Sequence, residues 1–207
     1  MGTPGLTAWD IPELTGPHVR LRPLEPDDAA ALLDTVDDEV WRWKLAPRPH
    51  TVAEMRQVVV DHLIGDPERQ RAFLATRLED DAVLGCTTLY EYDRHHERVE
   101  MGWTWLRRSS WGQGLNEEMK FLLLEYCFNE LGLKRVAWRL DSLNERSRGA
   151  LERMGFRYEG KLRSHQRRPD GSRRDSLYYS LLVGEWPECR ERLLRLIKER
   201  SRPQGPG

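Results

Sequence analysis

Within residues 99–131 the hydrophobic period changes from two to about 3.6, and that change constrains the fold more than any other feature of the chain. Val99, Met101, Trp103 and Trp105 alternate with Glu100, Gly102, Thr104 and Leu106, the pattern of a pleated strand. From Leu115 onward, Leu115, Met119, Leu122, Leu123, Tyr126 and Cys127 recur at helical spacing, and Glu117, Glu118, Lys120 and Glu125 are expected on the other face. Between strand and helix stands Trp111-Gly112-Gln113-Gly114. Glycines just before a helix leave backbone N–H groups open where the helix dipole favours an anion, so this turn has the makings of a phosphate site. A tight turn in which glycine only relieves crowding explains the same residues, and the local pattern leaves both readings open. Two familiar phosphate-binding motifs are disfavoured. A dinucleotide fingerprint needs a third glycine where Glu117 stands, and a Walker loop needs a Gly-Lys-Ser/Thr ending that is absent.

The remaining segments fall into a mixed order. Residues 1–17 read as an irregular arm with a short strand around Trp9 and Ile11, and residues 18–24 as the first strand of a sheet. Asp27 and Asp28 suit a first helical turn, followed by a helix over 29–36. Thr51 and Glu54 form a capping box for a second helix that runs to Gly65. Strands are expected over 71–78 and 83–92, and a short one through Val136, Trp138 and Leu140 after the long helix closed by Gly132. A helix over 144–154 ends at Gly155, a hairpin spans 156–167 and 173–182, and a last helix covers 188–200. With no repeat and no linker, the expectation is one α+β domain over 18–200 with a loose tail at 201–207.

Charge and cysteine usage narrow the function classes. The 33 basic and 34 acidic side chains leave a net charge of −1, so no overall field favours nucleic acid. Cys86, Cys127 and Cys189 show no metal-ligand spacing, and an odd number points to reduced thiols, a cytoplasmic location and no metal. No apolar run approaches the roughly 20 residues of a membrane helix, and Leu6 stands where a myristoylation signal needs Ser or Thr.

A second motif is Asn144-Glu-Arg-Ser147, continuing to Met154-Gly155-Phe156. On a helix Asn144, Ser147, Leu151 and Met154 share one stripe, so Ser147 points toward the protein. Either Asn144 caps the helix while Ser147 bonds back to a carbonyl, or both face a ligand.

Taken in order, Trp-Gly-Gln-Gly-Leu-Asn-Glu-Glu before a long helix and Asn-x-x-Ser before Met-Gly-Phe-Arg-Tyr-Glu-Gly resemble the GNAT superfamily of acyl-CoA N-acyltransferases. The RimJ/RimL-like branch, which acetylates ribosomal proteins, is the most similar. The resemblance covers about residues 18–186. It implies a single-domain GNAT fold, with a central mixed, mostly antiparallel sheet flanked by helices. It implies that the backbone N–H groups of Gly112, Gln113, Gly114, Leu115 and Asn116 hold the pyrophosphate of acetyl-CoA, with Trp111 at the head of the motif. The strand ending at Trp105 and Leu106 would pair with the pantetheine arm. Asn144 matches a position that orders a water or that arm, and Ser147 the hydroxyl beside the thioester sulfur. Three positions bear on that pattern. Trp111 replaces the usual Gln or Arg, Asn116 replaces a usual Gly or Ala, and Leu151 stands where many relatives carry a general-acid Tyr.

The expected reaction is acetyl transfer to a primary amine by direct attack in a ternary complex, with no covalent acyl-enzyme. Glu100 is the candidate base and Ser147 the donor to the departing thiolate. Trp41, Trp43, Phe73 and Tyr90 are candidates for the acceptor pocket, together with His165 and Asp175 on the basic hairpin. The favoured acceptor is a protein N-terminal α-amine. A small amine such as an antibiotic or amino-acid derivative and a non-catalytic acyl-CoA-binding regulator are the alternatives. The oligomeric state is left open, a homodimer included.

Overall fold

The alternating segments pair into one eight-stranded sheet in the computed structural model, which describes Trp9 and residues 12–200. The strands are β1 (Leu14–Thr15), β2 (Val19–Pro23), β3 (Arg71–Arg77), β4 (Val83–Asp93), β5 (Arg98–Leu106), β6 (Arg135–Asp141), β7 (Arg157–Arg167) and β8 (Arg173–Leu182). They lie in the order β1-β2-β3-β4-β5-β6-β8-β7. Every neighbouring pair is antiparallel except β5 and β6, which run parallel. A parallel pair needs a crossover, and the long helix between the two strands supplies it.

The helices are α1 (Ala29–Leu33), α2 (Asp38–Trp41), α3 (Val52–Val58), α4 (Leu115–Glu125), α5 (Glu145–Met154) and α6 (Trp186–Arg200). α3 and α4 each run on into a wider π-helical turn, over Val59–Ile64 and Tyr126–Glu130. α3 starts where the capping box places it, with Glu54 N donating to Thr51 Oγ1 and Thr51 N to Glu54 Oε2, both at 3.2 Å. Two apolar layers cover the sheet. On one face Met119, Leu123, Leu151 and Leu193 of α4, α5 and α6 pack on Val99, Met101, Val136 and Leu177. On the other, Leu32, Met55 and Leu63 pack on Leu74, Cys86 and Trp105. The fold is thus the mixed α+β architecture expected, a mostly antiparallel sheet flanked by helices.

The structure departs from the sequence reading in several places. The sheet begins at Leu14, inside the stretch read as an irregular arm. Trp9 lies in no strand but is buried and stacked 4.2 Å from the Tyr92 ring, while Asp10, Ile11 and the tail 201–207 fall outside the described residues. α1 stops at Leu33, where the Thr35 hydroxyl donates to the Leu32 carbonyl at 2.7 Å, short of the expected Val36. The unforeseen α2 is capped by Asp37, which accepts from Val40 N at 2.8 Å.

Two corrections matter for function. Most of the polar face of α4 does not meet solvent, because Glu117, Glu118 and Lys120 are all buried and only Glu125, paired with Arg190, stays partly exposed. Glu118 accepts from His18 N at 2.8 Å and Val19 N at 2.9 Å, and pairs with the His18 ring at 2.8 Å. A Cβ on Gly16 would run into that carboxylate.

The second correction concerns β5, whose strict alternation fails. Cys86 pairs with Trp105 but Thr88 with Gly102, so β5 spends three steps where β4 spends two. The extra residue is a bulge at Trp103, whose φ of 47° is left-handed. It reverses the facing of the later residues of the strand. Val99 and Met101 lie in the α4 layer, whereas Trp105 packs in the α1–α3 layer and Trp103 against it. Glu100, opposite in facing to Val99 and Met101, therefore shares its face with Trp105, and the expectation that it opposes the tryptophan row is overturned.

Candidate active site

The parallel strands β5 and β6 stay together for only three residues, Arg98 to Arg135, Val99 to Val136 and Glu100 to Ala137. Beyond Glu100 they diverge, and the β6-facing edge of β5 has no strand partner among the described residues. A cleft of about 480 Å³ opens there, lined by Met101 and Trp105 on one strand and Trp138 and Asp141 on the other. The bulge at Trp103 bends β5 at the point of separation.

At one end of the cleft lies the glycine turn. Gly112 and Gly114 have φ of 78° and 82°, a backbone that non-glycine residues adopt at a penalty. A Cβ added at Gly112 would meet nothing within 4 Å, so the protein itself does not crowd the position. Gly114 is the N-cap of α4, whose first N–H groups have no partner within the helix. Leu115 and Asn116 continue the cleft wall from the first turn. The Gln113 side chain turns away and donates to the Ser109 carbonyl at 2.8 Å, leaving its backbone in the turn. Trp111 donates from Nε1 to the Leu106 carbonyl at 2.8 Å, and the Arg146 guanidinium lies 3.5 Å over its ring. Open donors, left-handed glycines and a helix dipole make a cradle that fits a pyrophosphate.

α5 forms the facing wall. Asn144 accepts from Ser147 N at 3.0 Å, so it does cap the helix, yet both residues also line the cleft. Leu151 lies buried on the same wall, and Arg153 pairs with Glu117 of α4 at 3.4 Å.

Two lysines converge on Thr104. Lys120, only 3% exposed, donates to Thr104 Oγ1 at 2.8 Å and to Thr87 Oγ1 at 3.4 Å. Lys44 donates to the Thr104 carbonyl at 2.8 Å and lies 5.0 Å from the centre of the Trp105 ring. Burial, and then the charge of Lys44, pulls the Lys120 ammonium down to about 7. Burial brings Lys44 down to about 8, with Arg146 and Arg174 adding to the effect. Both amines line the cleft.

At the other end stand Tyr90, Arg139, Asp141, Gln166 and Arg174. Glu100 lies just behind this wall. The Tyr90 hydroxyl donates to it, and its Oε2, 3.8 Å from Arg139 Nη2, has no hydrogen-bond partner among the described residues. Burial, and then Glu100, pushes the Tyr90 phenol well above its usual range. Gly102 makes room for this arrangement, since a Cβ there would stand 2.8 Å from Tyr90 Cε1.

The expected site residues divide accordingly. Trp105, Leu106, Trp111, Gly112, Gly114, Leu115, Asn116, Asn144, Ser147 and Tyr90 meet at the cleft, and Glu100 touches it through Tyr90. Trp41 and Phe73 are buried in the two apolar layers, with Trp41 Nε1 donating to the Ala46 carbonyl at 2.9 Å, while Trp43 lines the cleft. His165 bonds Ser176 at 3.0 Å and Asp175 pairs with Lys161 at 2.8 Å, and neither lines the cleft. Lys44, Lys120, Arg139, Asp141 and Arg174 were not foreseen. Arg139 and Asp141 carried a signal, because they alternate with Trp138 and Leu140 and so share one face of β6.

Among the described residues no helix is long and apolar enough to cross a membrane, and no cluster of His, Cys, Asp or Glu is placed to hold a metal ion. Comparison with known proteins gives a consistent picture. Residues 18–157 match the family model described as "Acetyltransferase (GNAT) domain". The "Putative ribosomal N-acetyltransferase YdaF" of Bacillus subtilis (strain 168) is 33% identical over 177 residues, covering 82% of this chain and 93% of that protein. A solved "putative acetyltransferase" from T. thermophilus superposes with a TM-score of 0.82 at 36% identity, over 90% of this chain and 98% of the other. A GCN5-related N-acetyltransferase from Brucella melitensis superposes with a TM-score of 0.82 at 27% identity, over 92% and 87% of the two chains.

Proposed function

The chain belongs to the GNAT acetyltransferase family, and on that premise we propose that its acetyl-CoA-dependent activity is directed at a protein N-terminal α-amine, in the manner of the RimJ/RimL-like ribosomal-protein acetyltransferases. One observation carries the acceptor class. The two buried carboxylates that line the cleft are each held by an arginine, Glu117 by Arg153 and Asp141 by Arg168. A site whose carboxylates are committed in this way suits an amine that loses its proton readily. An α-amine, with a pKa of ~8, needs far less help than a lysine at ~10.4. The similarity to the B. subtilis protein named "Putative ribosomal N-acetyltransferase YdaF" points the same way.

Acetyl-CoA supplies the thioester carbonyl that the amine attacks. The N–H groups of residues 112–116 hold its pyrophosphate, and the free edge of β5 carries the arm and offers N–H donors to the oxyanion. Tyr90 takes the proton from the amine and passes its own to Glu100. Ser147 donates a hydrogen bond to the departing thiolate, and Asn144 holds the N-terminus of α5 that presents it.

The test is a panel of peptides with free or blocked N-termini, each with a lysine, incubated with acetyl-CoA and read by mass spectrometry. Acetylation of the free α-amine with matching CoA release is expected. Modification confined to lysine side chains or to small amines would overturn the acceptor reading. CoA binding without release from any acceptor would favour a regulatory protein instead.

A further inference from the structure

The acceptor end of the cleft holds a buried arginine whose bonding capacity is not used up. Arg174 is 5% exposed and lines the cleft, and its Nε is buried with no hydrogen-bond partner among the described residues. Its nearest carboxylate oxygen, Asp141 Oδ2, is 3.9 Å from Nε, beyond hydrogen-bond range. Asp141 is occupied elsewhere. It accepts from Arg168 Nε at 2.8 Å, from Arg168 Nη2 at 3.0 Å and from Leu143 N at 3.0 Å. One carboxylate therefore faces two guanidinium groups and is hydrogen-bonded to only one.

Among the described residues no other acidic group relieves the excess. Glu100 faces Arg139, with 3.8 Å from its Oε2 to Nη2, and Lys44 adds a further positive charge that Arg174 repels. Opposite Arg174 in the β7–β8 register stands Gln166, whose Oε1 is likewise buried without a partner. A buried cation and a buried acceptor left open side by side are each unfavourable unless a ligand completes them.

The donor's phosphates are not that ligand. Along β8, Leu177, Tyr179 and Leu181 pack in the layer with α4, and Arg174 alternates with them onto the opposite face of the sheet. The glycine cradle caps α4 on the other side.

We propose that the acceptor carries a carboxylate close to its reactive amine, that Arg174 binds this carboxylate, and that Gln166 Oε1 accepts an N–H of the same molecule. This rests on the α-amine reading above and narrows it to peptides with Asp or Glu at the first or second position. The bidentate fork of an arginine fits a carboxylate, and a pairing out of bulk water makes the preference strong.

The experiment compares kcat/KM for matched peptides beginning with Asp, Glu, Ser, Ala or Lys, with free aspartate and glutamate as a separate arm. Acidic peptides should exceed neutral ones by about 10-fold to 100-fold. Arg174→Gln should remove that ratio by raising KM for the acidic peptides, and Arg174→Lys should restore part of it. Equal turnover of acidic and neutral peptides by the unaltered enzyme would overturn the inference and leave the α-amine reading standing. So would an Arg174→Gln variant that slows all peptides alike. Acetylation of free acidic amino acids but of no peptide would sink the peptide reading and keep Arg174 as the carboxylate site. If no peptide and no free amino acid is acetylated, both fall.

Discussion

Lys120 keeps an amine between two threonine hydroxyls and within the field of a second lysine, and that placement ties the protein's stability to pH. Its ordinary value of 10.5, kept in the unfolded chain, falls to about 7 in the fold. Between those values the unfolded state binds more protons than the native state, so this residue makes stability rise with pH. Below about 7 both states are protonated and the penalty of burying the charge is felt in full. The slope is at most about 1.4 kcal/mol per pH unit. Urea unfolding of the wild type and Lys120→Met from pH 7 to 9.5 should show the variant gaining most at pH 7, with the difference shrinking as pH rises. A difference independent of pH would mean that the amine is not depressed. Lys44, brought down to about 8, leaves a residual slope in the variant.

At the scale of elements, β5 and α4 each hide one rule behind another. The alternation of Val99, Met101, Trp103 and Trp105 reads as one continuous face. The bulge that splits it depends on pairing with β4, and a single strand cannot show its neighbour's register. Likewise, the acidic first turn of α4 suits the helix dipole at a solvent-exposed start, so nothing local shows that β2 covers it. Glu118 is the residue that joins the two, holding the N–H groups of His18 and Val19. Glu118→Ala leaves both donors without this acceptor, and should lose roughly 2–4 kcal/mol in denaturant unfolding. Glu118→Gln retains a carbonyl oxygen for them and should lose less than half as much. An alanine variant as stable as the wild type would show that water replaces the carboxylate there.

For the whole molecule, what the sequence made legible was local or carried by contiguous motifs. The glycine turn, the Asn144/Ser147 helix, the capping box at Thr51 and most of the strands are of this kind. The acceptor end was illegible for a matching reason. Tyr90 apart, Lys44, Arg139 and Arg174 come from well-separated segments, and only the sheet order brings them to one cleft. The cleft walls also predict how the molecule responds to its donor. They come from β5, α4, β6 and α5, so a molecule bound there holds together strands that otherwise diverge. At a hundredfold excess over Kd, acetyl-CoA should add about 2.7 kcal/mol to stability, a rise in Tm of roughly 5–10 °C for a domain of this size. Gly112 makes the response specific. With no protein atom within 4 Å of its missing Cβ, Gly112→Ala loses only the left-handed backbone penalty of about 1–2 kcal/mol. The added methyl group stands in the cradle, so the Tm rise with acetyl-CoA should shrink well below that of the wild type. Thermal scans of both proteins with and without acetyl-CoA separate the two effects. An equal rise in both would remove Gly112 from the cradle, and no rise in either would remove the cleft as the acetyl-CoA site.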